Sequence, residues 1–433
     1  MNAPHPITHM LSKWCLGVLL VGGLITATAE AGSAENATKA AKANANAAST
    51  TLTSADVHAL LPILRQHELL ALVSQDARGK TPMMTVALRI HAPRNVVFDL
   101  FRDPDNFYYI STLFKENTQV ATRDNAFAWT WASRHKLFSF TGTNSIALHP
   151  PGRADIKVVK STVGSAAFSL AFLEDGPEHT LFVIAGYLDV QTSEWLIRHL
   201  IGNSPSMKRA MNAAIAMVIA MGTRDLAESV HRGRPKAPHR TGGKAGGIPR
   251  LLSAEEMRLL APFAARGTVL LSDSHAGKRL RQISVIEAME APAQTVLQAA
   301  AEPHSYARHI RAISGLNVLR ETEQYKEFSW ELGFSVFKIR STNRLVRGEN
   351  DVVLSGIDGD LMGARWRWQV QALSPQRTLV AYHGYADVGA TTGIMRTTVR
   401  REPYLEHGVM AGSNLIMMNA MKKVVSEWVA AAP

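Results

Sequence analysis

Hydrophobic and polar positions change period several times along this chain, and they do so twice in the same order. Leu60, Leu61 and Leu64, then Leu69, Leu70 and Val73, fall at helical spacing and predict a helix over 55–74, with 254–265 as its counterpart. Period-two segments follow at 85–91 and 282–289, the mark of half-buried strands. Ala-Pro then opens a short helix in each run, because proline is already set for a first helical turn. In the first run its apolar face is Val97, Leu100 and Phe101. Six alternating segments come next, at 119–122, 126–133, 137–146, 155–161, 166–174 and 180–190, matched by 316–322, 327–332, 336–346, 352–357, 364–372 and 379–388. Long helices over 204–230 and 402–430 close the two runs. Strands gathered together, rather than alternating with helices, predict an α+β class. The geometric solution is a strongly curved antiparallel sheet gripping the long C-terminal helix, with a cavity between them.

Residue identities repeat along with the pattern. Ala92-Pro93 returns as Ala291-Pro292, Asp103-Pro104 as Glu302-Pro303, and Gly186-Tyr187-Leu188-Asp189-Val190 as Gly384-Tyr385-Ala386-Asp387-Val388. Gly79-Lys80 pairs with Gly277-Lys278, Trp129 with Trp330 and Pro205 with Pro403, at offsets of 198 to 201 residues. Solenoid units are ~20–50 residues long. The long period therefore means two complete copies of one domain, at 55–231 and 251–433.

The flanking segments carry different signals. Residues 1–31 read as a signal peptide, with Lys13 before an apolar run over 15–25 and small residues at Ala27, Ala29 and Ala31. The run is too short to cross a bilayer as a helix, which needs ~20 residues. Export, to the periplasm, is the expectation. Cys15, the one cysteine, would leave with this leader, so no disulfide or cysteine metal site is expected. Segment 32–54 is rich in Ala, Asn, Ser and Thr and has too little to bury to offset ordering, so it reads as a flexible tether. Segment 232–250 holds six Lys or Arg, no acid, three Pro and five Gly. Those six are more than half of the formal charge of +11, which leaves the domains mildly basic and removes the case for a nucleic-acid partner. It reads as a solvated spacer. Attraction to an anionic membrane surface is a second reading, since clustered Lys or Arg is worth ~1 kcal/mol each near anionic lipid.

The Ala-Pro after the first strand, the Asp-Pro-x-x-Phe or Glu-Pro-x-x-Tyr about ten residues later, the Trp-bearing middle strands and the last strand leading into a long helix resemble the START-like (SRPBCC) superfamily. This helix-grip group contains polyketide cyclases, coenzyme Q-binding proteins and lipid-transfer domains. The resemblance spans nearly the whole chain after the leader, once per copy. It implies an apolar pocket for a lipid, quinone, sterol or polyketide. The superfamily has no universal catalytic residues, so it implies none here.

Pocket residues are also arguable from the chain itself. Phe127, Trp129 and Trp131 share one strand face, as do Phe328 with Trp330 and Trp366 with Trp368, while Arg365 and Arg367 take the opposite face. These rings are either an ordinary aromatic core or a cavity lining. Met207, Met211, Met217 and Met221, and Met410, Met417, Met418 and Met421, give both long helices a pliable apolar face. Asn414 falls on the second of these stripes as a candidate anchor for a ligand head group. Within the repeated motif, Tyr187 with Asp189 and Tyr385 with Asp387 share a face; they either meet a ligand's polar end or fix the turn that follows. No GxSxG, HExxH, GxGxxG or P-loop occurs, and His304 and His309 are poorly spaced for a metal. The expectation is therefore a carrier of a hydrophobic small molecule, with no cofactor and no metal. The alternatives are a cyclase in which a Tyr/Asp pair supplies acid and base, and a partner-recruiting module with vestigial pockets.

Overall fold

The computed structural model describes residues 52–75, 82–112, 114, 116–123, 125–134, 139–190, 193, 205–237, 246–275, 279–310, 312–334, 337–391, 396, 399, 402 and 404–431. The expected signal peptide, nearly all of the tether and the middle of the linker lie outside these residues.

In chain order the first half runs α1 (Ser54–Ala59), α2 (Leu61–Leu64), β1 (Leu69–Gln75), β2 (Pro82–Ile90), α3 (Arg94–Asp99), α4 (Asn106–Ile110), β3 (Glu116–Arg123), β4 (Ala126–Arg134), β5 (Ser139–His149), β6 (Arg153–Ser161), β7 (Ser165–Glu174), β8 (Thr180–Asp189) and α5 (Pro205–His231). The second half repeats it with α6 (Ala254–Ala264), β9 (Thr268–Ser274), β10 (Leu280–Met289), α7 (Ala293–Ala301), α8 (Pro303–Ala307), β11 (Ile313–Glu321), β12 (Lys326–Phe334), β13 (Phe337–Arg347), β14 (Asp351–Gly359), β15 (Arg365–Ser374), β16 (Arg377–Tyr385), a short α9 (Val388–Thr391) and α10 (Leu405–Ala431). Capping boxes start both opening helices: Thr53 with Asp56, and Ser253 with Glu256.

The expected helix over 55–74 is corrected by this structure. It ends at Leu64, and Leu69–Gln75 is a strand, as is Thr268–Ser274 just beyond the matching helix. β1 is buried on both faces, with Leu69, Ala71 and Val73 in one core and Leu70 and Leu72 in another. A strand covered on both sides is an unbroken apolar run. Leu69, Leu70 and Val73 consequently imitate helical spacing.

These two unanticipated strands join the copies. The strands among the described residues form one antiparallel sheet ordered β11-β12-β13-β14-β15-β16-β10-β9-β1-β2-β8-β7-β6-β5-β4-β3, in which the sheets of the two copies are continuous. Both halves have the same internal order, and their helices fall at the same places, as expected of a helix-grip, START-like fold. At the seam Leu70 pairs with Leu271, Ala71 with Leu270 and Leu72 with Val269. Ala71 and Leu270 are equivalent residues of the two copies, so a pseudo-twofold axis passes between them.

Each face of the central strands is covered by helices. Val57, Ile63, Met257 and Leu260 of α1, α2 and α6, with Leu60 between the first two, pack against one face, on Leu70, Leu72, Val269 and Leu271. On the other lie the long helices, α5 against β2, β1 and β8, and α10 against β10 and β16. The two helices also pack on each other through small residues. A Cβ at Gly408 would stand 2.9 Å from that of Ala214, so this crossing is too close for any larger residue. Burial on two sides explains why α10 has almost no polar stripe along its first five turns.

Candidate functional site

In the first half, β4 and β5 place aromatic and polar side chains on one inward face. Trp129 pairs with Asn144 and Trp131 with Gly142, and Phe127 lies beyond them opposite Ile146. Phe107 of α4 stacks on Trp129 with centroids 4.4 Å apart and planes 2° from parallel, and Phe114 meets Trp131 edge-on at 5.5 Å. Gly142 makes room for the second indole: a Cβ there would sit 2.6 Å from the Trp131 ring. All three large side chains are buried.

This face contains an unmet hydrogen-bonding set. The Nε1–H groups of Trp129 and Trp131 and the Oδ1 of Asn144 are buried and have no protein partner. Such orphans are rare in native interiors, because each costs ~1–3 kcal/mol when dry. Two donors and one acceptor, walled by Phe107 and Phe114, suit a hydroxyl or carbonyl at the end of an apolar molecule, or ordered water.

Copy two treats the same face differently. Asn343 stands where copy one has Asn144, but Ser341 replaces Gly142 and donates from Oγ to Asn343 Oδ1 at 3.1 Å. Trp330 Nε1–H remains unpartnered. Asn414, on α10, donates from Nδ2 to the Ile283 carbonyl at 3.0 Å and leaves its buried Oδ1 unpaired. Trp366 lies over Gly384 beside that amide, where a Cβ would sit 2.2 Å from the indole Cδ1. Trp368 packs on Tyr382 at 4.1 Å. Burial raises the phenol pKa values of Tyr306, the counterpart of Phe107, and Tyr382. Of the two proposed helix methionines, Met211 is buried and Met417 half-buried against the same core.

The Tyr/Asp pairs are elsewhere. Tyr187 and Asp189 alternate with Gly186 and Leu188 and share the sheet face of Leu181 and Val183, opposite α5. Asp387 accepts from the Ala390 N–H and from Arg279, both at 3.2 Å, and so fixes the turn after β16. Tyr385 is buried beneath the linker: a Cβ on Gly246, whose φ is +81°, would lie 2.1 Å from its ring. Gly246 donates to the Leu280 carbonyl at 2.8 Å, and Arg250 to Gln282 Oε1 at 2.7 Å and Glu256 at 2.8 Å. The last residues of the expected spacer are therefore tied down.

Sequence reasoning also missed a charged cluster beside the seam, partly within the second half and partly across to the first. Arg279 donates from Nε to both oxygens of fully buried Glu406 at 3.0 and 3.1 Å, and the Leu280 N–H adds a bond of 2.7 Å. Nearby, Tyr404 donates to Asp225, and Ser274 bonds Glu68 and, at 2.8 Å, His407. Burial depresses the His407 imidazole to a pKa of about 3. These groups lie 126 to 206 positions apart in the pairs they form, so local spacing carries no sign of them.

Two clefts lie away from the inward faces just described. One of about 500 Å³ at the seam is lined by Arg209, Arg266, Glu287, Arg377 and Lys422. Another of about 650 Å³ lies among Pro93, Phe98, Pro151 and Pro177 of the first half. No helix among the described residues is long and apolar enough to cross a membrane.

No protein-family model matches this sequence, and neither does any curated protein. Solved structures do. The di-domain aromatase/cyclase StfQ of the steffimycin biosynthetic pathway is 11% identical, with 80% of this chain and 99% of that one covered at a TM-score of 0.29. The Zhui aromatase/cyclase from Streptomyces sp. R1128 is 17% identical over 33% of this chain and 95% of its own, at 0.26. The STAR-related lipid transfer protein from Xanthomonas axonopodis is 11% identical over 34% and 94%, at 0.25. This chain is thus similar to single- and two-domain structures of this kind over nearly their whole length.

Proposed function

We propose that this chain is an exported, periplasmic carrier of a hydrophobic small molecule with a polar end, such as a lipid, quinone or sterol. It would be built from two START-like units, 55–231 and 251–433, each a curved sheet gripping its own long helix. The observation that carries the reading is the orphaned set of Trp129 Nε1–H, Trp131 Nε1–H and Asn144 Oδ1 on the inward face of the first half. A ligand oxygen bound there would satisfy groups that no protein atom satisfies. Each buried methylene adds ~0.8 kcal/mol, which suits carriage through water. The first half is the stronger site, because Ser341 already satisfies in the second half the acceptor that Asn144 leaves free in the first. The Tyr/Asp pairs give no support to a cyclase reading, since Asp387 is engaged by Arg279 and a turn, and Tyr187 with Asp189 is on the far sheet face. The basic linker would hold the carrier near anionic membrane while it loads.

The test is uptake. Delipidated protein is incubated with vesicles of phosphatidylethanolamine, phosphatidylglycerol, ubiquinone and a sterol, re-isolated by gel filtration, and its extract is analysed by mass spectrometry. Stoichiometric retention of one class, lost on Trp131→Ala, is expected. Recovery of the protein without any of the four, after uptake conditions under which it stays folded, contradicts the carrier reading.

A further inference from the structure

At one end of the first half, three elements converge on a cluster that neither the repeat nor the proposed carrier role requires. His91 follows β2, Glu178 and His179 form the turn before β8, and His231 is the last residue of α5. Ligating atoms of His91, Glu178 and His231 all lie within 4.8 Å of one another, and His231 Nε2 is 3.1 Å from Glu178 Oε2. The His179 ring lies against His91 with centroids 4.5 Å apart and planes tilted by 48°. His91 is pinned to α5 as well, its N–H donating to Glu228 Oε1 at 3.2 Å, one turn before His231.

The second half shows what this corner needs for folding alone. Thr180 donates to the Ala92 carbonyl and Thr378 to that of Ala291, at 2.8 and 2.7 Å, so the two corners are built alike. At the places of His91 and His179 the second half has Glu290 and Arg377, joined by an ion pair of 3.1 Å. A simple pair therefore suffices to close the corner. The first half has instead gathered three imidazoles and a carboxylate, at the C-terminal end of a helix, where the backbone dipole favours a cation.

We infer that His91, Glu178 and His231 form a binding site for a divalent first-row metal ion, Zn²⁺ by the chemistry of its ligands. Two imidazoles and one carboxylate are a set zinc accepts, with bonds of ~2.0–2.2 Å, and a tetrahedral ion leaves a fourth position for water or His179. Tetrahedral bonds of that length put ligand atoms ~3.3 Å apart. Drawing together atoms that already lie within 4.8 Å requires only side-chain adjustment, since Glu178 is exposed and His231 half-exposed. Sequence spacing hid the site, because its residues are 53 to 140 positions apart.

The full chain, stripped with EDTA and dialysed, is titrated with Zn²⁺ by calorimetry, and bound zinc is counted by elemental mass spectrometry after desalting. One tight site is expected, with affinity at least tenfold weaker in His91→Ala and in His231→Ala and unchanged in His304→Ala. Should His91→Ala lose its far-UV circular dichroism, Glu178→Gln in the exposed turn supplies the same comparison. Wild-type protein without stoichiometric zinc, or folded variants that bind it as tightly as wild type, overturns the assignment. Ligand loading is measured independently of this titration, so the metal site and the carrier role stand or fall separately.

Discussion

Replacing Asn144 by leucine reverses sign between the empty and the loaded protein if the inward face of the first half is a ligand site. Asn144 is 5% exposed, its Oδ1 has no partner, and its cross-strand neighbour is Trp129, whose N–H is also unpaired. Leucine has the same branching at Cγ, is larger by its methyl hydrogens, and removes the orphaned acceptor. Relief of an unsatisfied buried polar group is worth ~1–3 kcal/mol, so delipidated Asn144→Leu should be more stable than delipidated wild type by about that amount. In the loaded protein the same change deletes a hydrogen bond of ~0.5–1.5 kcal/mol to the ligand, which weakens retention about 2- to 13-fold. Urea unfolding of both delipidated proteins gives the first quantity, with equal m-values required for comparison. Ligand release to acceptor vesicles gives the second. A variant that is less stable when empty and retains ligand as wild type does would mean that a permanent water satisfies Asn144, and the reasoning would fail.

Other consequences follow from the seam and the buried histidines. Glu406→Leu leaves the Arg279 Nε–H without its acceptor and should cost ~3–5 kcal/mol in urea unfolding, whereas Arg279→Met with Glu406→Leu should recover most of that loss; equal losses would show that the pair contributes no coupling. His383 and His407 are each held at a pKa of about 3, His383 by burial and by the charges of Arg367, His67 and Arg250. The unfolded chain takes up these protons near pH 6.5 and the folded chain does not, so stability falls as pH drops from about 6.5 toward 3. The slope is up to ~1.4 kcal/mol per pH unit for each group. His383→Gln should flatten the profile over that window, and a profile identical to wild type would contradict the burial argument.

Much of this fold was legible because it is written twice. Strands with one buried face, such as Ala126–Arg134 and Arg365–Ser374, show their alternation directly, and both long helices were placed to within a few residues of their observed ends. β1 and β9 were not legible: burial on both faces erases the alternation that marks a strand, and these strands decide how the copies meet. For the interior, sequence singled out Trp129, Trp131, Trp330, Trp366 and Asn414 but not Asn144. A lone Asn in an alternating strand looks like any outward polar residue until register sets it opposite an inward Trp. The Tyr/Asp motif stood out because it repeats, yet Asp387 serves a turn. Repetition marks what both copies need in order to fold as readily as what they need in order to bind.

Native mass spectrometry of the gently purified chain, followed by solvent extraction, tests carriage most directly. Proteins should fly with an added mass of one hydrophobic molecule, extractable and assignable to a lipid, quinone or sterol class, and that mass should be absent from Trp131→Ala and reduced in Asn144→Leu at matched purity. A chain that emerges at its bare polypeptide mass, and takes up nothing from the mixed vesicles while folded, contradicts the binding site built on Trp129, Trp131 and Asn144.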